Sequence, residues 1–273
     1  MRLSYFFKRR DVDFLAAAVL TAPAFWVMGP SQSVGYFLEI VAMSWVLLLV
    51  IYAFNRWTED EARGFGVGLM LWVLGGGAFA ALLVPLPNSL ARGAAIAIVA
   101  VGVLYSIHLP GKNGTYQLRQ VYLLKPLMIC GAHSIQWLAF TGRLDLWIAL
   151  LLAWHFFDIF VLANLFDALD VREDKAAGAN TLAVVHGFKR AIEVAWVANV
   201  VCISLGILFV VLSGSIWFAL FLLPRPFQMQ RKLDSLRRGK KVGKGIPVLL
   251  VRAVGTAGIV LHYIFGPAWP PLI

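Results

Sequence analysis

Charged residues are scarce in this chain. Only 14% of its 273 residues are Asp, Glu, Lys or Arg, whereas 60% are hydrophobic. The mean hydropathy is +0.80. A soluble domain usually has about a quarter charged and about half apolar residues. This composition excludes an ordinary soluble fold and favours a membrane protein, in which each spanning helix needs about 20 mostly apolar residues.

Cysteine is nearly absent as well. Cys130 and Cys202 are the only two, and each lies inside an apolar run. This placement argues against a disulfide framework and against a CxxC metal site, so we expect both thiols to be small core residues. The sequence has no heptads, no low-complexity tract and no clear internal repeat, which gives no support to a coiled coil or a repeat array.

Nine apolar windows bounded by proline, glycine and charge are candidate spanning helices. They cover residues 13–29, 34–54, 66–86, 90–107, 121–140, 145–166, 189–212, 214–224 and 246–266. The eighth window is too short to cross about 30 Å alone, and we expect the basic residues after it to extend it. The predicted fold is an all-α membrane protein, a bundle of nine transmembrane helices whose central cavity opens to the cytoplasm. We expect a single domain over residues 1–273.

Basic residues are concentrated on one side of such a bundle. The N-terminus and the loops after even-numbered spans hold most of the Lys and Arg, including the eight between Arg225 and Lys244. By the positive-inside rule these segments are cytoplasmic. The net charge of +10 then reflects topology, and we expect no nucleic-acid partner. We interpret the segment 225–244 as a topology anchor at the headgroups, with a specific anionic-lipid or substrate site as the alternative.

Three aspartates follow the sixth window at helical spacing. Asp167, Asp170 and Asp174 stand at i, i+3 and i+7, which places three carboxylates on one face of a helix, with Asn164 one turn earlier. Like charges at that spacing destabilise a helix unless something neutralises them. We expect the helix to end at Gly178, before the next span.

A second acidic cluster ends the second window. Asn55 and Glu59 lie at i and i+4, and Asp60 and Glu61 follow. Because both clusters follow even-numbered spans, we expect them to face each other across the cavity from its cytoplasmic side. Oxygen ligands of Asp, Glu and Asn without His or Cys suit Mg²⁺, which often bridges to phosphates. The pattern predicts a diphosphate substrate, and solvated helix ends are the alternative interpretation.

The segment from Asp167 to Leu182 resembles the second Asp-rich motif of the UbiA superfamily of intramembrane prenyltransferases. That motif has the form DxxDxxxD followed by Gly and then Thr-Leu. All three aspartates, Gly178 and the pair Thr181-Leu182 are in place. The spacing between the two clusters and the number of spans extend the resemblance over nearly the whole chain.

The first motif of that superfamily, NDxxDxxxD, is matched less completely. Asn55 is in place and Glu59 stands for the next Asp. Arg56 and Arg63 occupy positions that are usually acidic. These departures keep a non-catalytic relative that binds isoprenoids or lipids open as an alternative. A terpene cyclase on the same scaffold is a variant of the enzymatic interpretation.

The resemblance implies Mg²⁺-dependent transfer of a prenyl group from a prenyl diphosphate to a small aromatic or lipid acceptor within the membrane. The implied metal ligands are Asp167, Asp170, Asp174, Asn55 and Glu59, and the implied catalytic residues are the same set without Glu59. The implied substrate-binding residues are Lys112, Arg119, Lys125 and Asn164. We expect a multi-pass protein of a prokaryotic plasma membrane, surrounded by membrane lipids, with its N-terminus in the cytoplasm.

Ionisable residues inside the predicted spans include Glu39, His133, His155 and Asp158. Ionisable groups are costly in a bilayer and are candidates for function by default. His155 and Asp158 are spaced to pair with each other, and contact with an acceptor is the alternative.

Overall fold

The computed structural model describes residues 22–31, 33–59, 65–111, 114–176, 178–240 and 248–265. Eleven helices occur in this part of the chain. The first four are α1 (residues 22–28), α2 (Val34–Glu59), α3 (Phe65–Leu83) and α4 (Ser89–Ser106). A short antiparallel hairpin and a 3₁₀ turn follow: β1 (His108–Gly111), β2 (Gly114–Gln117) and Leu118–Gln120.

The other seven helices complete the described chain. They are α5 (Leu124–Thr141), α6 (Leu146–Leu169), α7 (Val171–Ala176), α8 (Leu182–Ser213), α9 (Trp217–Leu222), α10 (Pro224–Arg237) and α11 (Val248–Phe265). Each predicted window overlaps one of the eleven helices, so the predicted helical class is confirmed. Among the described helices, α4, α6 and α8 are long and apolar enough to cross a membrane by length and composition. The count of nine crossings, the central cavity and the orientation stay predictions.

Twelve of the 24 residues of helix α6 are buried. It packs between α5 and α8, and its buried residues include Trp147, Leu151, Val161 and Leu165. An apolar surface all round the helix is typical of the middle of a bundle. Asp145 caps its N-terminus by accepting a hydrogen bond from the Ile148 amide at 2.9 Å. This central helix carries the first aspartate of the motif in its last turn.

The helix that begins in the eighth apolar window is extended by the basic residues after it, as expected. Helices α9 and α10 are separated only by Leu223, and the amides of Leu223 and Phe227 continue the i to i−4 hydrogen bonds across the junction. Pro224 fits there because the first residue of a helix needs no amide donor. The basic segment is therefore helical over Pro224–Arg237, and α10 packs on α8.

Two basic residues of this segment correct the prediction of a solvated anchor. Arg225 and Lys232 are buried, and they share α10 with the core residues Met229 and Leu233. Arg225 lies 2.9 Å from Asp158 of α6, between Nη1 and Oδ2, with side chains 7% and 1% exposed. The ion pair of Asp158 is thus formed with Arg225, whereas we expected a pair with His155. The reason is that α10 begins beside Asp158, so that Arg225 in its first turn reaches the carboxylate.

Both cysteines are free and buried, as expected.

Helix α8 is kinked at Gly187. Its φ of 84° and ψ of 161° lie in a region that is essentially restricted to glycine. A Cβ built there has no neighbour within 4 Å, so a substitution is strained by the backbone alone. We expect Gly187→Ala to destabilise the protein by about 1–3 kcal/mol, seen as a lower unfolding temperature in detergent.

The matched control is Gly131→Ala in α5. Gly131 also has open space around its Cβ position, but its backbone is helical. We expect this substitution to be neutral or stabilising, because Ala is the better helix former. Equal unfolding temperatures for the two variants would contradict the assignment of strain to Gly187.

Candidate functional site

The three aspartates of the motif lie around the junction of α6 and α7. Asp167 is in the last turn of α6, Asp170 follows its last residue, and Asp174 is in α7. The Asp170 amide donates to the Phe166 carbonyl, and the Asp174 amide donates to the Asp170 carbonyl, both at 2.9 Å. The single helix that we predicted through all three is therefore interrupted at one residue, Asp170, whose φ and ψ are −111° and 21°.

The first and third carboxylates share one partner across this break. In one continuous helix, seven residues separate the two positions by about 10 Å along the axis. Here Lys125 Nζ donates to Asp167 Oδ1 and to Asp174 Oδ1, each at 2.7 Å. The two oxygens consequently lie no more than 5.4 Å apart, twice that distance.

Lys125 reaches the aspartates from the first turn of α5. Leu123, with φ 59° and ψ −12°, turns the chain into this helix, and the buried Pro126 follows Lys125. The side chains of Lys125, Asp167 and Asp174 are 18%, 7% and 13% exposed, so the ion pairs are largely shielded from water. Two carboxylates against one ammonium leave these three groups with one net negative charge.

Three buried oxygens at this end of α6 lack a hydrogen-bond partner within the described part of the chain. They are Asp167 Oδ2, Asp174 Oδ2 and Asn164 Oδ1. The Asn164 Nδ2 donates to the Phe160 carbonyl at 2.8 Å, which leaves the amide oxygen as the acceptor. Buried acceptors without partners are costly and call for an explanation.

This donor set fits a hard divalent cation. Carboxylate and amide oxygens are the ligands that Mg²⁺ takes, together with waters and substrate phosphates. Among the described residues, no three His, Cys, Asp or Glu side chains are gathered closely enough to hold a metal alone. The remaining ligands of such an ion would have to come from elsewhere, and Mg²⁺ binds commonly through one or two carboxylates plus phosphate.

The 3₁₀ turn before α5 is fastened to the turn after α7. The backbone amide and Nδ2 of Asn180 both donate to the Gln120 carbonyl, at 3.4 and 2.9 Å. Gly178 has a φ of 68°, which ends the helix as predicted, and a Cβ there would lie 3.4 Å from Gln120 Nε2. These contacts hold the loop before α5 against the motif. Sequence reasoning missed Gln120 and Asn180, since a contact between loops leaves no periodic signal.

The other predicted site residues are placed less completely. Asn55 and Glu59 belong to the last turns of α2, and Arg119 to the 3₁₀ turn, but their side chains lie outside the described residues. Lys112 is itself outside them. The structure thus brings together Lys125 and two aspartates, and the prediction that Asn55 and Glu59 face them stays a prediction.

The fold and site define a predominantly helical membrane protein with an acidic motif at the end of a central helix. A model of the UbiA prenyltransferase family matches residues 63–244 of the sequence. That match covers most of the chain, and the chain belongs to the UbiA prenyltransferase family. No curated protein matches it by sequence.

Solved structures of UbiA homologues have a similar fold. One, from Archaeoglobus fulgidus and bound to DMAPP and Mg²⁺, has 11% identity and a TM-score of 0.67, covering 94% of this chain and 98% of its own. The apo homologue from Aeropyrum pernix K1 has 12% identity and a TM-score of 0.66, covering 94% and 98%. A structure of digeranylgeranylglyceryl phosphate synthase has 13% identity and a TM-score of 0.67, covering 93% and 95%. At these identities the likeness shows the shared fold.

Proposed function

We propose that this protein transfers a prenyl group from a prenyl diphosphate to an acceptor within the membrane, with Mg²⁺ as cofactor. The observation that carries the proposal is the convergence of Asp167 and Asp174 on Lys125, with buried carboxylate oxygens left for a cation. Members of the UbiA family are prenyltransferases. A homologue from Archaeoglobus fulgidus was solved with DMAPP and Mg²⁺ and with GPP and Mg²⁺, which supports the substrate class.

The proposed reaction breaks the bond between C1 of the prenyl chain and the diphosphate oxygen. The diphosphate leaves with the electron pair, a nucleophilic atom of the acceptor bonds to C1, and the acceptor loses a proton. Bound Mg²⁺ would stabilise the charge that builds on the diphosphate. The acceptor is a small aromatic molecule or a lipid, and the site faces the cytoplasm of a prokaryotic cell.

Different residues of the chain bind the metal and the diphosphate. Carboxylate oxygens and the Asn55 amide oxygen hold the metal, and the basic groups and the remaining Nδ2 hydrogen of Asn164 donate hydrogen bonds to the diphosphate. The proposed metal ligands are Asp167, Asp170, Asp174, Asn55 and Glu59. The proposed diphosphate-binding residues are Lys112, Arg119, Lys125 and Asn164.

A second candidate function is binding of isoprenoids or lipids without catalysis. Arg56 and Arg63 stand at acidic positions of the first motif, and Lys125 already balances part of the second. A terpene cyclase is a further variant of the enzymatic hypothesis, because it starts with the same ionisation.

Release of diphosphate separates these hypotheses. We expect the purified protein to release diphosphate from farnesyl or geranylgeranyl diphosphate when Mg²⁺ is present and to stop when the metal is chelated. Analysis of the organic product separates a cyclase, which needs no acceptor, from a transferase. A folded protein that binds these diphosphates without releasing diphosphate, with membrane extract supplied as a source of acceptor, supports the non-catalytic function.

A further inference from the structure

Lys125 occupies the position that a bridging cation would take. Its ammonium donates to one oxygen of each of two carboxylates at 2.7 Å, and all three side chains are less than one-fifth exposed. Solvent and salt screen charges poorly in such a place. A divalent ion bound to the same two oxygens would therefore be repelled strongly by the ammonium. The ion and the ammonium cannot both occupy the space between the carboxylates.

A bound diphosphate offers the Lys125 ammonium alternative hydrogen-bond acceptors. The ammonium has three donors and no acceptor, and phosphate oxygens are strong acceptors for charge-assisted hydrogen bonds. Lys125 stands in the first turn of α5, directly after the loop that Gln120 fastens to the motif. A long, flexible side chain in this position can change partners without any movement of a helix.

We propose that Lys125 is an exchangeable counterion that couples metal binding to diphosphate binding. It holds Asp167 and Asp174 together before substrate arrives, and it moves to the diphosphate when the metal takes the carboxylates. The inference rests on the proposed function and adds a consequence: metal alone binds weakly, and metal with diphosphate binds cooperatively. By linkage, each ligand raises the affinity for the other by the same factor.

The test measures metal affinity apart from activity. Mn²⁺ binding to the purified protein in detergent is followed by electron paramagnetic resonance, first without any diphosphate. We expect Lys125→Met to bind Mn²⁺ at least about 5-fold more tightly than the wild type, within the usual range of coupling between sites. At saturating Mn²⁺, we expect the same variant to bind inorganic pyrophosphate at least about 10-fold more weakly, because one charged donor is lost.

Lys175→Met is the matched control. Lys175 is an exposed lysine of α7, close to the motif, and its removal changes the net charge equally. We expect both affinities to stay at the wild-type values in this variant.

Lys125→Gln serves if the methionine variant does not fold, because its amide keeps a hydrogen-bond donor for the carboxylates. We expect the same changes in Mn²⁺ and pyrophosphate affinity as for Lys125→Met.

The outcomes separate the inference from the function on which it rests. Weaker or unchanged Mn²⁺ binding in the Lys125 variants would overturn the exchange, because it would mean that the metal uses the other carboxylate oxygens while Lys125 stays in place. The wild type provides a test without variants: independent binding of Mn²⁺ and pyrophosphate also contradicts the coupling. A wild-type protein that binds neither probe, alone or together, contradicts the proposed function itself.

Discussion

Replacing Asp167 by Asn is expected to lower Mg²⁺-dependent release of diphosphate at least about 100-fold. The substitution removes a buried negative charge that is proposed to hold the metal, and it also removes one of the two ion pairs of Lys125. The shape of the side chain is kept, so the end of α6 should stay folded. Initial rates at saturating substrate and Mg²⁺ give the measurement.

For Asp170→Asn we expect a loss of Mg²⁺-dependent substrate binding without loss of the fold.

Glu173→Gln is the control for this prediction. Glu173 is an exposed carboxylate of α7, directly before Asp174 in the sequence. It loses the same charge in the same part of the molecule, and we expect nearly wild-type rates. If Glu173→Gln and Asp167→Asn reduced the rate equally, the total negative charge of this segment would explain the effect, and the assigned metal site would be wrong.

Replacing Arg225 by Met is expected to destabilise the folded protein by about 3–5 kcal/mol. The substitution leaves Asp158, whose side chain is 1% exposed, without its cationic partner in the interior. Burial of an unpaired charge is far more costly than the loss of an exposed ion pair. Thermal unfolding in detergent should show the effect as a large decrease in the midpoint.

The double variant Asp158→Leu with Arg225→Met separates the charge from the packing. Removing both charges together should restore most of the stability, because apolar groups of similar volume are often neutral replacements for a buried pair. Arg231→Met is the exposed control on the same helix, and we expect little change there. Equal losses in the single and double variants would contradict a cost that arises from an unpaired charge.

The helices of this fold were predictable from the sequence, and the path of α10 was not. Apolar windows mark lipid-facing and core helices because the bilayer demands such runs. Helix α10 is rich in basic residues, and its buried face includes Arg225 and Lys232. From their charge alone, Arg225 and Lys232 would be predicted to face water. Their burial depends on tertiary partners such as Asp158, which a one-dimensional pattern does not contain.

The acidic motif was predictable to a similar extent. The spacing of Asp167, Asp170 and Asp174 identified the carboxylates, and Gly178 identified the end of the helix. Neither glycine nor proline stands at the break near Asp170, so the spacing indicated one straight helix. Lys125 was predicted to bind substrate, and its two carboxylate partners became visible only in three dimensions.

The most direct test of the central claim is a structure of the protein with Mg²⁺ and a sulfur-bridged analogue of a prenyl diphosphate that cannot ionise. We predict a metal bound by Asp167 and Asp174, with Asn55 and Glu59 of the first motif facing it and the Lys125 ammonium on a phosphate oxygen. A diphosphate bound away from this end of α6 would contradict the claim that both motifs form one site. The same holds if Asn55 and Glu59 lie more than about 10 Å from the aspartates, because metal–oxygen distances are near 2.1 Å and one ion could not reach both groups.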